Sequence, residues 1–540
     1  MNKFKTRVLI FLFLPICGMI FSQEALKSGA EEYYDFLALQ GLAARPFLNY
    51  RTLSDSVWNI ADDLNHPWQN QNLGTRRRLF GDFSLRIYGP ELFMSANTEA
   101  PYGQNDGALW QGKGFNTSLT GGIRLEAYGV EATFKPQLAF SQNSDFDIMP
   151  SNYDSEYGYF WGYSHNAGVD APQRFGDKPF FAFDWGDSEI RYSWKTLTIG
   201  FGTQPIWLGP AYLNPVLHSN NAPSYPKFDM GIRKQPITIP WINWYMGDVE
   251  FRIWTGYLSE SDYFDNNPAN DHIMFHGLSF AYAPSFLPGL TLSVNRVCLV
   301  PWEWENLKYI FPSDDNTIED QKASFGLSYY FPQVGFEVFA ELGIDDYPPD
   351  RFIGIIRYPF RSTVYSFGIK KEFTVSRKKL IYGELVFESN WLEMTQEFQL
   401  QWPYSLYFHH LVTQGYTNKG QYLGSGIGSG GNQQYLGFIL YYPKGKSSIF
   451  IGRNNPDNNY IYKNAVYDSA AGKKLEHYIW DTKSNFFAGF DSGYFLNSSI
   501  MITGGLSYNL IINPKYERTE DNAYIFVHNF RFVFGAQYFF

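Results

Sequence analysis

The closing stretch VHNFRFVFGAQYFF (Val527–Phe540) constrains the fold more than any other segment. Phe530, Phe532, Phe534, Ala536, Tyr538 and Phe540 occupy one set of alternate positions. The other set, Asn529, Arg531, Val533, Gly535, Gln537 and Phe539, is largely polar. A period of two is that of a strand with one apolar and one polar face. The pattern recurs upstream. Ile123, Leu125 and Ala127 alternate with Arg124, Glu126 and Tyr128; beyond Gly129, Val130, Ala132 and Phe134 alternate with Glu131, Thr133 and Lys135. Tyr365, Phe367 and Ile369 alternate with Ser366, Gly368 and Lys370. Clear strand candidates also lie at 187–194, 196–204, 248–259, 273–283, 288–298, 322–331, 333–342, 380–391, 434–442 and 498–509. Roughly 16 to 20 segments of about 10 residues, necessarily even in number, match the strands of a transmembrane antiparallel β-barrel. A terminal Phe on the last strand resembles the signal read by the outer-membrane barrel-assembly machinery.

Composition supports an all-β membrane protein. Aromatic residues make up 19% of the chain, yet mean hydropathy is −0.30, so the rings are diluted among polar residues and not gathered into apolar helices. Such rings belong at the two membrane interfaces of a barrel, in contact with outer-membrane lipid. The start, MNKFKTRVLIFLFLPICGMIFSQ, has the charged n-region (Lys3, Lys5, Arg7) and short apolar core (Val8–Phe21) of an export signal. Its removal leaves Cys298 alone and therefore no intramolecular disulfide. A net charge of −10 argues against nucleic acid as a partner.

The expected organisation is a signal peptide over 1–23, a helical periplasmic segment over 24–77, and the barrel over 78–540. Tyr33, Phe36 and Leu37 mark one helix; Leu53, Val57, Ile60, Ala61 and Leu64 mark a second. So short a segment is expected to pack against the barrel. Chemical motifs are weak. The Gly-rich Leu423–Gly431 lacks the ending of a phosphate loop and reads as a mobile turn. His218 and Ser219 are adjacent and lack a nucleophile elbow. His409 and His410 have no companion at metal-site spacing and read as lumen or rim residues. The acidic stretches Asp314–Asp320 and Phe264–Asp271 do not follow calcium-loop spacing and read as solvated loops. No catalytic residue, metal or cofactor is assigned. The loop Asn152–Gly168, carrying Tyr153, Tyr157, Tyr159, Trp161 and Tyr163 among Asn and Asp, mixes flat rings with forked polar groups, as sugar recognition requires.

One stretch fits neither strand nor helix: QPIWLGPAYLNPVLHSNNAPSYP, Gln204–Pro226. It resembles the W-x-G-P…L-x-x-S-N-N-A-x-x-x-P signature of the Wzi family of capsule-assembly proteins. Trp207, Gly209 and Pro210 match its front; Leu217, Ser219, Asn220, Asn221, Ala222 and Pro226 match its back. Leu208 stands where better-known members carry a second aromatic. Leu109–Gly129, Gly415–Gly428 and the helical start are also similar to the family. The resemblance implies an outer-membrane barrel of 18 strands with a helical plug at its periplasmic end. It also implies a non-catalytic, lectin-like role in holding capsular or other surface polysaccharide at the cell surface. The matching residues then serve as a structural brace or as sugar contacts. A porin-type diffusion channel is the alternative reading, and an outer-membrane hydrolase a more remote one.

Overall fold

In a computed structural model the chain is described over residues 22–23, 29–54, 56–60, 65–74, 77–149, 155–158, 169–311, 318–345, 352–357, 362–393, 406–409, 411–456 and 479–540. Strands run through β1 (Phe83–Asn97), β2 (Gly114–Ala127), β3 (Val130–Phe134, resuming as Gln137–Ser141), β4 (Phe180–Asp184, resuming as Glu189–Trp194), β5 (Leu197–Gly202) and β6 (Lys227–Ile239). They continue as β7 (Trp244–Ser259), β8 (His272–Pro284), β9 (Leu290–Pro301), β10 (Asp320–Phe331), β11 (Phe336–Asp345) and β12 (Thr363–Ser376). The rest are β13 (Ile381–Trp391), β14 (Asn432–Tyr442), β15 (Gly445–Asn455), β16 (Ser484–Phe495), β17 (Ile500–Ile512) and β18 (Phe526–Tyr538). Neighbours pair antiparallel, and β18 returns to β1 with Arg531 opposite Asn97, closing an 18-strand barrel. The break in β3 falls at Pro136, which has no N–H to give the ladder.

The alternation in the sequence is the inside and outside of this wall. Ile123, Leu125, Val130, Phe134, Phe367, Phe530, Phe532 and Phe534 are exposed on the outer surface. Their alternates Arg124, Glu131, Thr133, Lys135, Ser366, Lys370 and Asn529 are buried inside. A register slip of one residue would turn every arginine and lysine toward lipid, at about 2–4 kcal/mol each near the midplane, so the pattern locks the pairing. The inward charges are paired. Asp229 accepts from Arg191 at 2.5 Å and from Arg252 at 2.8 Å. Lys322 bridges Asp320 (2.5 Å) and Asp345 (2.8 Å), and Arg124 bridges Glu126 (2.6 Å) and Glu131 (2.7 Å).

Connections alternate between tight turns, as at 195–196 and 443–444, and long loops, as at 203–226 and 392–431. In such barrels the tight turns face the periplasm. One long connection, after β9, folds back over the outer wall: Arg296 donates to the carbonyls of Tyr309 (3.0 Å) and Ile310 (3.3 Å). Beneath it lies Cys298, a buried free thiol.

At the tight-turn end, helix α1 (Gly29–Leu39) sits within the barrel. Its Tyr33 stacks on Trp68 at 4.0 Å, and its Phe36 on the wall residue Tyr441 at 4.2 Å. Asp35 pairs with Arg45 and with the wall residue Lys370. Trp68 backbone N–H donates to the Tyr33 hydroxyl (2.9 Å), which also hydrogen-bonds His66 Nδ1 (2.7 Å). The second expected helix is not formed. Val57–Ile60 is a short strand paired with Ala43–Ala44 and with Ser22–Gln23, while Ala61 and Leu64 lie outside the described residues. Packing partners across the plug overrode the i, i+3, i+4 pattern. Tertiary contact decides between helix and strand for so short a run.

Because Asp229 serves two buried guanidiniums, Asp229→Ala is expected to cost about 3–5 kcal/mol, and Asp229→Asn less. Urea unfolding of the detergent-solubilised barrel measures both.

Candidate functional site

The segment Gln204–Pro226 leaves β5, enters the lumen and returns in β6. Trp207 and Leu208 pair with Arg51 and Tyr50, so this segment and the N-terminal plug meet inside the barrel. Irregular backbone in a closed, poorly solvated lumen needs acceptors for its amides. Carboxylates projecting from the wall supply them. Glu388 accepts from the N–H groups of Tyr212 (2.5 Å), Leu213 (3.0 Å) and Asn214 (3.0 Å). Glu341 accepts from Val216 N–H at 3.2 Å. Glu250 does the same for the plug, accepting from Leu48 (2.8 Å), Asn49 (2.9 Å) and Tyr50 (2.6 Å). Pro205, Pro210, Pro215, Pro223 and Pro226 carry no N–H, which removes five donors that would need partners.

The residues singled out in the sequence are bound into this brace. Trp207 is fully buried and its indole N–H donates to Ala211 O at 3.1 Å. Gly209 has φ of +90°, and a Cβ there would lie 2.9 Å from a Glu341 carboxylate oxygen; its N–H donates to Asn49 Oδ1 at 3.0 Å. Pro210 follows at the same corner. Ser219 N–H donates to Leu423 O (2.8 Å) and Ser219 Oγ to Gly424 O (2.5 Å). Asn221 donates to Tyr422 O (3.0 Å) and accepts from Asn105 N–H (3.2 Å). Asn220 O accepts from Gly107 N–H (2.8 Å), and Pro226 O from Tyr257 N–H (3.0 Å).

His218 is held as the neutral Nδ1–H tautomer. Nδ1 faces two acceptors, Ile206 O (2.8 Å) and Ser219 O (2.9 Å), and Nε2 accepts from the Tyr225 hydroxyl at 2.7 Å. Burial, with the charge of Lys227 adding to it, pushes this imidazole down to about 3. The His218–Ser219 pair is thus committed to holding backbone.

Two loop readings are corrected. Leu423–Gly431 is no mobile turn: Leu423 and Ser425 are buried against the brace, and Ser425 Oγ donates to Asn214 Oδ1 at 2.9 Å. The Gly-rich sequence allows close approach of two backbones. The acidic reading is corrected only at Glu319 and Asp320, which are buried, Asp320 in the Lys322 ion pair; 314–317 lie outside the described residues, and 266–269 are exposed as expected. His409, also buried, accepts from Val412 N–H at 3.2 Å; His410 lies outside the described residues. Of the aromatic loop, Tyr157 packs edge-on against Tyr263 at 5.5 Å. Tyr153, Tyr159, Trp161 and Tyr163 lie outside the described residues.

Sequence reading missed a cavity of about 900 Å³ between the brace and the wall of β14 to β18 and β1. The inward positions there are small. Gly437 and Gly489 flank Phe450, Gly452 lies opposite Tyr435 and Phe487, and Gly505 lies opposite Asp491. Space left by absent side chains exposes a line of rings: Tyr212, Tyr435, Phe450, Phe487 and Tyr102, with successive centroids 6.0 to 6.4 Å apart. Gln433, Asn454, Asn485, Asp491, Asn509 and Arg531 stand beside them. Flat apolar faces bordered by amides suit polyhydroxylated rings. At the tight-turn end, Glu32 of α1 meets Lys446 of β15, and the Tyr212 hydroxyl donates to Glu32 at 2.5 Å. The recurrence of inward glycines on β14 to β18 was the one available signal.

An outward apolar surface, a closed ladder and a stoppered, aromatic-lined lumen define a membrane-spanning β-barrel with an internal site. The chain belongs to the Wzi family of capsule assembly proteins, whose pattern matches residues 94–523, well over half its length. It is accordingly an outer-membrane protein. The fold is similar to that of Escherichia coli Wzi, described as a carbohydrate-binding β-barrel involved in group 1 capsule assembly. The likeness covers 96% of this chain and 99% of that one, at 11% identity and a TM-score of 0.59. Pseudomonas putida OprB (11% identity, 85% of this chain, 93% of that one) and Pseudomonas aeruginosa OccD3 (10%, 86% and 93%) reach TM-scores of only 0.38. No curated protein matches the chain in sequence.

Glu388→Ala is expected to cost about 1–3 kcal/mol for each amide it orphans and to open the 204–226 segment to protease in detergent. The His218 pKa lies below that of the unfolded chain, so stability is full above pH 6.5 and falls as pH drops toward 3. The slope is about 1.4 kcal/mol per unit. The difference in melting between the native protein and His218→Asn, taken from pH 7 to 4, isolates that slope.

Proposed function

We propose that this protein holds surface or capsular polysaccharide at the outer membrane by non-catalytic binding. The observation that carries the reading is the line of rings and amides in the lumenal cavity. Family membership supports it, as does the carbohydrate binding attributed to the Escherichia coli barrel of the same fold. The brace keeps the ring line in place, because Tyr212 hangs from Glu388 through its own amide. The motif residues Trp207, Gly209, Pro210, Ser219, Asn220, Asn221 and Pro226 act on the ligand through that brace. The loop with Tyr153, Tyr157, Tyr159, Trp161 and Tyr163 is a second, outer contact for the polymer. Outer-membrane lipid surrounds the apolar belt, and β18 addresses the chain to the barrel-insertion machinery.

Deleting the gene is expected to leave polymer synthesis intact while polymer appears in the medium; full retention on the cells would remove this reading. Tyr435→Ala and Phe487→Ala should each weaken binding of fragmented surface polymer by about tenfold, or 1–2 kcal/mol for a lost aromatic platform. The channel reading draws on the same cavity, whose lining runs from Met501 to Lys515, the full height of β17. Conductance across planar bilayers is its test, and the Glu32–Lys446 pair at the inner end favours silence.

A further inference from the structure

We propose that Arg531, with Tyr102 and Phe93, forms a subsite for a carboxylate-bearing sugar residue inside the barrel, a step that rests on the polysaccharide reading above. Most of the other inward cations are paired: Arg45, Arg124, Arg191, Arg233, Arg252, Lys322 and Lys370 each lie within salt-bridge distance of a carboxylate, while Lys227 donates to Gln204 O. Arg531, on β18 and lining the cavity, makes no such pair among the described residues. Its Nε donates to Gln111 Oε1 at 3.0 Å. Its guanidinium lies over the Tyr102 ring at 5.7 Å and the Phe93 ring at 6.0 Å.

Nη1 and Nη2 have no hydrogen-bond acceptor among the described residues, and Arg531 lines the cavity. A planar fork matches a carboxylate with two parallel hydrogen bonds. The acids nearby do not fill that place. Asp106 accepts from the same Gln111, at 2.5 Å, and Asp491 on β16 acts on Arg531 only through space. Tyr102 continues the ring line through Phe487, at 6.0 Å, so a sugar stacked there brings its ring substituents to the fork. Gln433 and Asn454 also line the cavity and bring side-chain amides to it. The cavity thus offers one cationic fork for a carboxylate, side-chain amides for hydroxyls, and rings for the C–H faces.

The test uses full-length protein in detergent and size-reduced surface polysaccharide from its own source cell. The polymer is offered native and after chemical reduction of its carboxyl groups to alcohols. Calorimetric titration is expected to show native fragments binding about tenfold tighter than reduced ones, the scale of one charge-assisted contact. Arg531→Gln should abolish that preference, so that native and reduced fragments bind the variant with equal affinity. Arg531→Lys should retain part of it. Heat-modifiable migration on gels checks that each variant is a closed barrel, and the native-against-reduced comparison on unaltered protein stands without any variant. Equal binding of both forms by the unaltered protein overturns the subsite and leaves the polysaccharide reading intact. A preference that survives in Arg531→Gln places the carboxylate elsewhere and also overturns it. Binding of neither form overturns the polysaccharide reading itself.

Discussion

The structure depends on the meeting of backbone amides with carboxylates inside a closed wall. A barrel of this width encloses space that side chains alone do not fill. Here the space is occupied by chain that is neither helix nor sheet and therefore carries amides with no ladder to join. Water would satisfy them in an open pore. In a packed lumen the wall must do so, and Glu250, Glu341 and Glu388 each reach one irregular segment. A carboxylate accepts several bonds at once, which explains why one Glu can hold three successive amides.

From that constraint follows the division of the lumen. Where β7 to β13 face the plug and the 204–226 segment, their inward side chains are committed to structure. The opposing wall, β14 to β18 and β1, carries glycines at inward positions, so beyond the Tyr212–Tyr435 contact a cavity remains. The brace still serves the cavity, because its Tyr212 is the first ring of the line that runs to Tyr102.

Much of this was legible in the residues. Alternation over β2, β3, β12 and β18 separated lipid face from lumen face correctly, since burial on a strand depends only on parity once the sheet closes. The S-N-N-A element identified the family. Its role as a brace was half-visible, because five prolines and three asparagines over 204–226 are the composition of backbone that must be held without a ladder. The second plug helix was misread because a four-residue run, Val57–Ile60, has no intrinsic preference strong enough to resist pairing with Ala43–Ala44. The Gly-rich 423–431 turn was misread for the related reason that glycine signals close approach as readily as freedom.

The sequence by itself determined a closed, outward-apolar β-barrel, its address and its family, all of which rest on local periodicity and short contiguous motifs. Only the tertiary structure decided which carboxylates hold which amides, that the ring line exists, and that Arg531 stands in the lumen without a carboxylate partner among the described residues. Those facts join residues hundreds of positions apart, Tyr102 with Phe487 and Asn214 with Glu388. Such pairings are set by strand order and register around the cylinder, which no single stretch of sequence encodes.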